Sequence, residues 1–246
     1  MASDLSIRIL VFAATLLVMF AGAATAQELS INLGDDGSLT VRTVQLFVLI
    51  TLLSLAPGMA IMITCFPFMV TVLSILRQAV GVQQAPPNMM IVSLALFLTY
   101  FVMEPVFRQA WEQGIVPMLD GLMDVEEALP LVIEPFRGFM ELRVDPDTLS
   151  EMMLAAPEGI QPSEDETPLS VLVPSFLLSE IQRGFEVGFL IFLPFLVIDL
   201  VVAAVLMSMG MMMVPPAVVA LPFKLAFFVI ADGWALLAGA MVRSYG

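Results

Sequence analysis

Apolar residues along this chain fall in long blocks rather than in alternation. Ile9–Ala23 is apolar, and a polar stretch, "QELSINLGDDGSLTVR", follows at 27–42. Val44 to Leu76 holds 33 residues without a charge, interrupted at "APG" (56–58) and "CFPF" (65–68). A polar loop, "RQAVGVQQAPPN", occupies 77–88, and Met89–Met103 is apolar again. Residues 104–170 are acidic and mixed. Val187–Met209 is apolar apart from Pro194 and Asp199, and Ala217–Val242 is apolar apart from Lys224 and Asp232. Blocks of this length exceed a buried strand and predict helices.

The mixed region carries helical spacing of its own. Val106, Phe107, Ala110 and Trp111 share one side of a short helix, and Ile133, Phe136, Phe139 and Met140 repeat the spacing. Asp145 followed by Pro146 predicts an N-cap and first-turn proline. Leu149, Met152 and Met153 give that helix an apolar face ending before Pro157. Residues 157–168 read as a loosely ordered linker. The expected fold is therefore all-α.

Composition places these helices in or against a membrane. Hydrophobic residues make up 60% of the 246, charged residues 13%, and mean hydropathy is +1.00; soluble domains run near 45–50% and about 25%. The N-terminus has the parts of a cleaved secretory signal: Arg8 before the apolar run, then "ATA" (24–26) as a small-residue cleavage site. The mature chain then starts at Gln27, outside the inner membrane. The expected organisation is a signal peptide at 1–26, an extracytoplasmic linker at 27–43, and N-terminal hydrophobic helices at 44–103. An acidic extracytoplasmic helical region at 104–186 and a C-terminal hydrophobic hairpin with a Met-rich tip at 187–246 complete it.

Charge agrees with this topology. The net charge is −14, and residues 104–168 hold fifteen acidic residues against Arg108, Arg137 and Arg143. Cytoplasmic loops favour Lys and Arg, so the acidic region is expected outside with a single crossing by Val44–Leu76; two crossings there would place it in the cytoplasm. The same charge excludes nucleic acid as a partner. The apolar blocks make poor lipid spans: Val44–Ala56 is 13 residues and Met89–Met103 is 15, where a straight crossing takes about 20. Val187–Met209 is long enough but carries Pro194 and Asp199. Hairpins packed against other chains of an oligomer, with lipid at the edges, are the expected solution.

Little here can do covalent chemistry. Histidine is absent and Cys65 is the single cysteine, which removes disulfide frameworks, cysteine metal sites and histidine acid–base catalysis within one chain. No cofactor, metal site or enzymatic activity is expected. Asp199 and Asp232 could form an intramembrane aspartyl pair, but structural pairing with Lys224 or Arg183 explains them as well. Lys224 and Asp232 are eight residues apart and can share one helix side. Glu180 and Arg183, three apart, read either as a surface pair or as an inter-subunit contact.

"MSMGMMMVPP" (207–216) is the remaining anomaly. Consecutive methionines point in different directions, Gly210 loosens the backbone, and Pro215–Pro216 stop the helix. Adaptable thioethers at a helix turn would make a seal that yields and re-forms when several copies surround an axis; a Met-rich buried turn is the other reading.

"PSFLLSEIQRGFEVGF" (174–189) and "PFKLAFFVIADGW" (222–234) resemble the two signatures of the FliP family, with a family-like "MSMGMMMVPP" between them. "LSILRQAVGVQQAPPNMMIVSLALFLTYFVMEPV" (73–106) is similar to it as well. The resemblance implies a core subunit of the flagellar type III export gate in the bacterial inner membrane and basal body. It further implies a pentamer of FliP copies assembled with FliQ and FliR, near FlhA and FlhB, passing unfolded flagellar subunits. Met209, Met211, Met212 and Met213 map onto its methionine gasket. Glu180, Arg183, Asp199, Lys224 and Asp232 are then structural or inter-subunit charges. The injectisome relatives of the SctR family share this core, and the signal with its linker favours the flagellar branch. An ion or small-solute transporter using Asp199, Asp232 and Lys224 is the rival from another class.

Overall fold

A computed structural model describes residues 39–82, 86–157, 167–211 and 213–245. The expected signal peptide, most of the linker after it, and residues 158–166 of the acidic linker lie outside the described residues. Among the described residues the structure is helical, with no strand. The chain divides into two units, residues 1–51 and 52–246. The described part of the first begins helix α1, Leu39–Met62. There the Thr51 hydroxyl donates to the Phe47 carbonyl at 2.7 Å, one turn back.

The second unit contains α2 (Phe66–Val80), α3 (Asn88–Ala110), a π-helical turn (Trp111–Ile115), α4 (Val116–Leu119), α5 (Val125–Arg143), α6 (Pro146–Leu154), α7 (Leu169–Ser208), α8 (Pro216–Ile230) and α9 (Gly233–Arg243). Helix α2 is the centre: Phe68, Met69, Val72, Leu73 and Leu76 are buried at three- and four-residue spacing. It packs against α7, α3 and α8. Two glycines let α7 approach it. A Cβ on Gly184 would come within 3.0 Å of Thr71, and one on Gly188 would strike Ile75. Small residues four apart permit such close helix contact where lipid gives no hydrophobic drive.

Several helices are longer than the apolar blocks suggest. "APG" does not break α1, which continues through it to Met62; the break falls at 63–65, just before Pro67. Met89–Met103 is part of a continuous helical run, Asn88–Leu119, of 32 residues. Helix α7 starts eighteen residues before Val187 and has 40 residues with Pro174 and Pro194 inside it. At 1.5 Å per residue that is about 60 Å, twice a bilayer's hydrocarbon core. Among the described residues, three helices are long and apolar enough to cross a membrane, four if α8 and α9 are one bent span. The shortness inferred from apolar runs is thus corrected: polar residues at the ends extend the helices beyond the apolar windows.

Ala217–Val242 is the opposite case. It is two helices bent by 62°, because Asp232 takes a left-handed conformation (φ 48°) that aspartate tolerates better than most residues. A Cβ at Gly233 would collide with the Phe228 ring, which packs edge-on to Trp234.

The acidic region is helical as its spacing predicts. Met140 and Ala110 are buried, with Phe107, Phe136 and Phe139 packed around the core. Trp111, expected on the same apolar face, is 53% exposed. The π-turn starts there and shifts the register, seating Gly114 against Val132 instead. Asp145 caps α6, accepting from the Thr148 N–H and hydroxyl, both at 2.9 Å. Those bonds hold its carboxyl below the usual range.

Candidate functional site

The methionine tip joins α7 to α8. Helix α7 ends in a Schellman turn: Gly210 is left-handed (φ 76°), its N–H reaches the Met207 carbonyl at 3.0 Å, and the Met211 N–H reaches Leu206 at 2.9 Å. Gly210 is therefore the residue that reverses the chain. Pro215 and Pro216 then start α8, with Pro216 in the first turn, where its missing N–H costs nothing. The tip leaves its thioethers uncovered. Met207, Met209 and Met211 are exposed, and Met213 is 98% exposed. Met212 lies outside the described residues.

Above the tip the two arms are tied by charge. Lys224 on α8 is buried and meets Asp199 on α7 at 2.6 Å. Its ammonium also donates to the Ala79 carbonyl at 3.0 Å, an orphan acceptor in the last turn of α2. Asp199 Oδ1 is buried without a partner. Asp232 does not share a helix face with Lys224: α8 ends at Ile230, and Asp232 stands in the bend before α9 with its side chain exposed. Asp199 and Asp232 form no aspartyl dyad, since Asp199 is paired to Lys224. An open apolar groove of about 440 Å³ runs along the hairpin past the tie toward the tip, lined by Val197, Val201, Val205, Val219 and Phe223 among others.

The second polar centre is Glu180. It is fully buried (0% exposed), which corrects the reading of Glu180 and Arg183 as a surface pair. Arg183 reaches it at 3.3 Å and Arg143, from the end of α5, at 3.4 Å; the Tyr245 hydroxyl donates to its other oxygen. Arg143 also lies 4.0 Å from the Tyr245 ring centroid and donates to the Ser244 carbonyl at 2.8 Å. Ser179 donates to Ser175 and accepts from the Asp145 N–H at 2.9 Å. The node thus joins α5, α6, α7 and the residues after α9. Burial and the neighbouring Glu180 charge push the Tyr245 phenol upward, so it stays a donor. The sequence signalled Glu180 and Arg183 by their spacing. Nothing in it marked Arg143 or Tyr245, which lie 37 and 65 positions from Glu180 and meet it only through packing.

A profile of the FliP family matches residues 49–241. The chain belongs to the FliP family. It is 51% identical over 236 residues to the flagellar biosynthetic protein FliP of Caulobacter vibrioides, covering 96% of this chain and 89% of that one. The FliP of Agrobacterium fabrum is 46% identical over 244 residues, 97% and 99% of the two chains. That of Bacillus subtilis is 42% identical over 203 residues, 82% and 92%. FliP proteins serve flagellar biosynthesis and protein export. The FliP match takes in the methionine tip, the Asp199–Lys224 tie, and the Arg143, Glu180 and Arg183 members of the node; Tyr245 falls just outside it.

Proposed function

We propose that this chain is a channel subunit of the flagellar type III export gate. Further copies of itself, as a pentamer, assemble with FliQ and FliR around an axis, with FlhA and FlhB adjacent. The assembly sits in the bacterial inner membrane, with the acidic region on the periplasmic side. Unfolded flagellar subunits pass through it, and Met209 and Met211–Met213 form the seal between passages. The energy source lies in other proteins, since the sequence has no nucleotide-binding motif.

The observation that carries this reading is the tip: a helix end reversed by Gly210, with uncovered thioethers that its own chain does not pack. Flexible, polarizable side chains adapt to different surfaces, and a ring of them can close a pore by excluding water. The exposed apolar faces of α1 and of the second half of α7 also need cover from lipid or other chains.

Replacing Met211, Met212 and Met213 together by alanine should leave assembly and export largely intact and raise small-ion leak. Unchanged conductance in assembled complexes would remove the seal role. A stalled export substrate should crosslink to a photoprobe at Met211; labelling of lipid alone would place the tip away from the path.

A further inference from the structure

The described methionine side chains of the tip are exposed, and the hydrogen bonds of the turn are local to it, so its position is set by the helix arms. The helix arms supply the answer. From Asp199 to Ser208 is nine residues, and from Pro216 to Lys224 is eight, so the ion pair sits about 12–14 Å up each arm. An open apolar groove of about 440 Å³ runs along this interval and past Asp199 to Val197, with Leu206 and Ala220 the buried residues of the stretch below the pair.

Lys224 does more than join the arms. Its Nζ also bonds the Ala79 carbonyl at 3.0 Å, and Gly81, left-handed at φ 85°, ends α2 two residues further on. A Cβ there would stand 3.8 Å from the same ammonium. One cation therefore neutralises a carboxylate on α7, caps α2, and belongs to α8. We propose that Lys224 is a positioning residue for the methionine tip, pinning both arms of the hairpin to the C-terminal end of α2. This rests on the tip being the seal. The seal then keeps its place when a substrate distorts it, because the arms pivot about a fixed point anchored in the most buried helix.

The chemistry gives a test that separates the two legs. Lys224→Met removes both. Asp199→Asn keeps an acceptor for Lys224 and leaves the Ala79 bond intact. The exchange Asp199→Lys with Lys224→Asp keeps opposite charges on α7 and α8 but leaves position 224 with no donor for the Ala79 carbonyl, because an aspartate carboxylate only accepts and its side chain is shorter. Ion leak is measured per assembled complex, with Met211–Met213→Ala in parallel. Lys224→Met is expected to raise leak about tenfold, Asp199→Asn by less, and the exchanged pair to stay leaky. If Lys224→Met does not assemble, Asp199→Asn carries the comparison. Leak at the parental level in these variants, with the methionine variant leaky, would overturn the positioning role alone. A tight exchanged pair would overturn the α2 leg, and with it the proposal. A silent methionine variant would overturn the seal reading and this proposal together.

Discussion

The two halves of α7 belong to one unbroken helix and behave as different materials. From Leu169 to Gly188 it buries Val171, Leu172, Ser175, Phe176, Ser179, Glu180, Gly184 and Gly188. That is one stripe at three- and four-residue intervals. From Phe189 to Ser208 it buries only Phe195 and Leu206, although this half is the more continuously apolar. Hydrophobicity therefore does not decide which half is packed within the chain. The first half is held by small residues and wired polar groups, which need specific partners at specific distances. The second half meets its own chain at Phe195, which packs on Phe227 and Phe228, and at the Asp199–Lys224 tie, and leaves most of its branched apolar side chains exposed.

Substitutions in the first half should therefore be costly. Glu180→Ala should have the largest effect. It leaves Arg143 and Arg183 beside an apolar pocket and frees Tyr245. Removing one member of a buried ion pair costs about 3–5 kcal/mol, and the partial exposure of both arginines places the expectation at the lower end. Thermal unfolding in detergent reads it directly. Cys65 offers a second readout. It is fully buried, and burial pushes its thiol well above the usual cysteine range, which keeps the nucleophilic thiolate scarce. Maleimide labelling should be negligible in the parent and accelerate in Glu180→Ala. Prompt labelling of the parent would show that the core around α2 is open.

Glycines sharpen the contrast at the next scale. Gly188→Val forces a side chain into Ile75, and overpacking of this kind costs about 1–3 kcal/mol. Gly138→Ala in α5 is the control of opposite sign. Nothing lies within 4 Å of its Cβ position, so relief of backbone entropy should stabilise by about 0.5–1 kcal/mol. Equal shifts in unfolding temperature for the two would mean that helix propensity, not the α2–α7 contact, governs these positions.

Helix content was legible because long apolar blocks and the Asp145–Pro146 cap are local signals. The tip was legible for the same reason: Gly210 and the proline pair state a reversal within ten residues. Helix length was not, since Leu169–Glu186 is too polar to read as part of an apolar span yet continues the same hydrogen-bonded ladder. The bend at Asp232 was hidden because aspartate in a left-handed conformation looks in sequence like any membrane charge. The distant partners of Glu180 were hidden too, unlike Arg183 three residues away. Arg143 and Tyr245 reach it only after α5 and the end of α9 fold onto α7, and no spacing rule spans such distances.

The smallest effect belongs to the second half of α7 and its tip. Met213→Ala removes a side chain that is 98% exposed, so the unfolding temperature of the isolated chain in detergent should not move measurably; exposed sites away from special features change stability by less than about 0.5 kcal/mol. Met207→Ala and Met209→Ala should behave alike. The comparison becomes informative when the same variants are measured in the assembled complex. There, side chains that their own chain leaves bare should acquire contacts, and truncating them should cost more than it does in the single chain. A cost already present in the single chain would mean that the tip packs on its own arms, and the division of α7 into a self-supporting half and a partner-dependent half would fail.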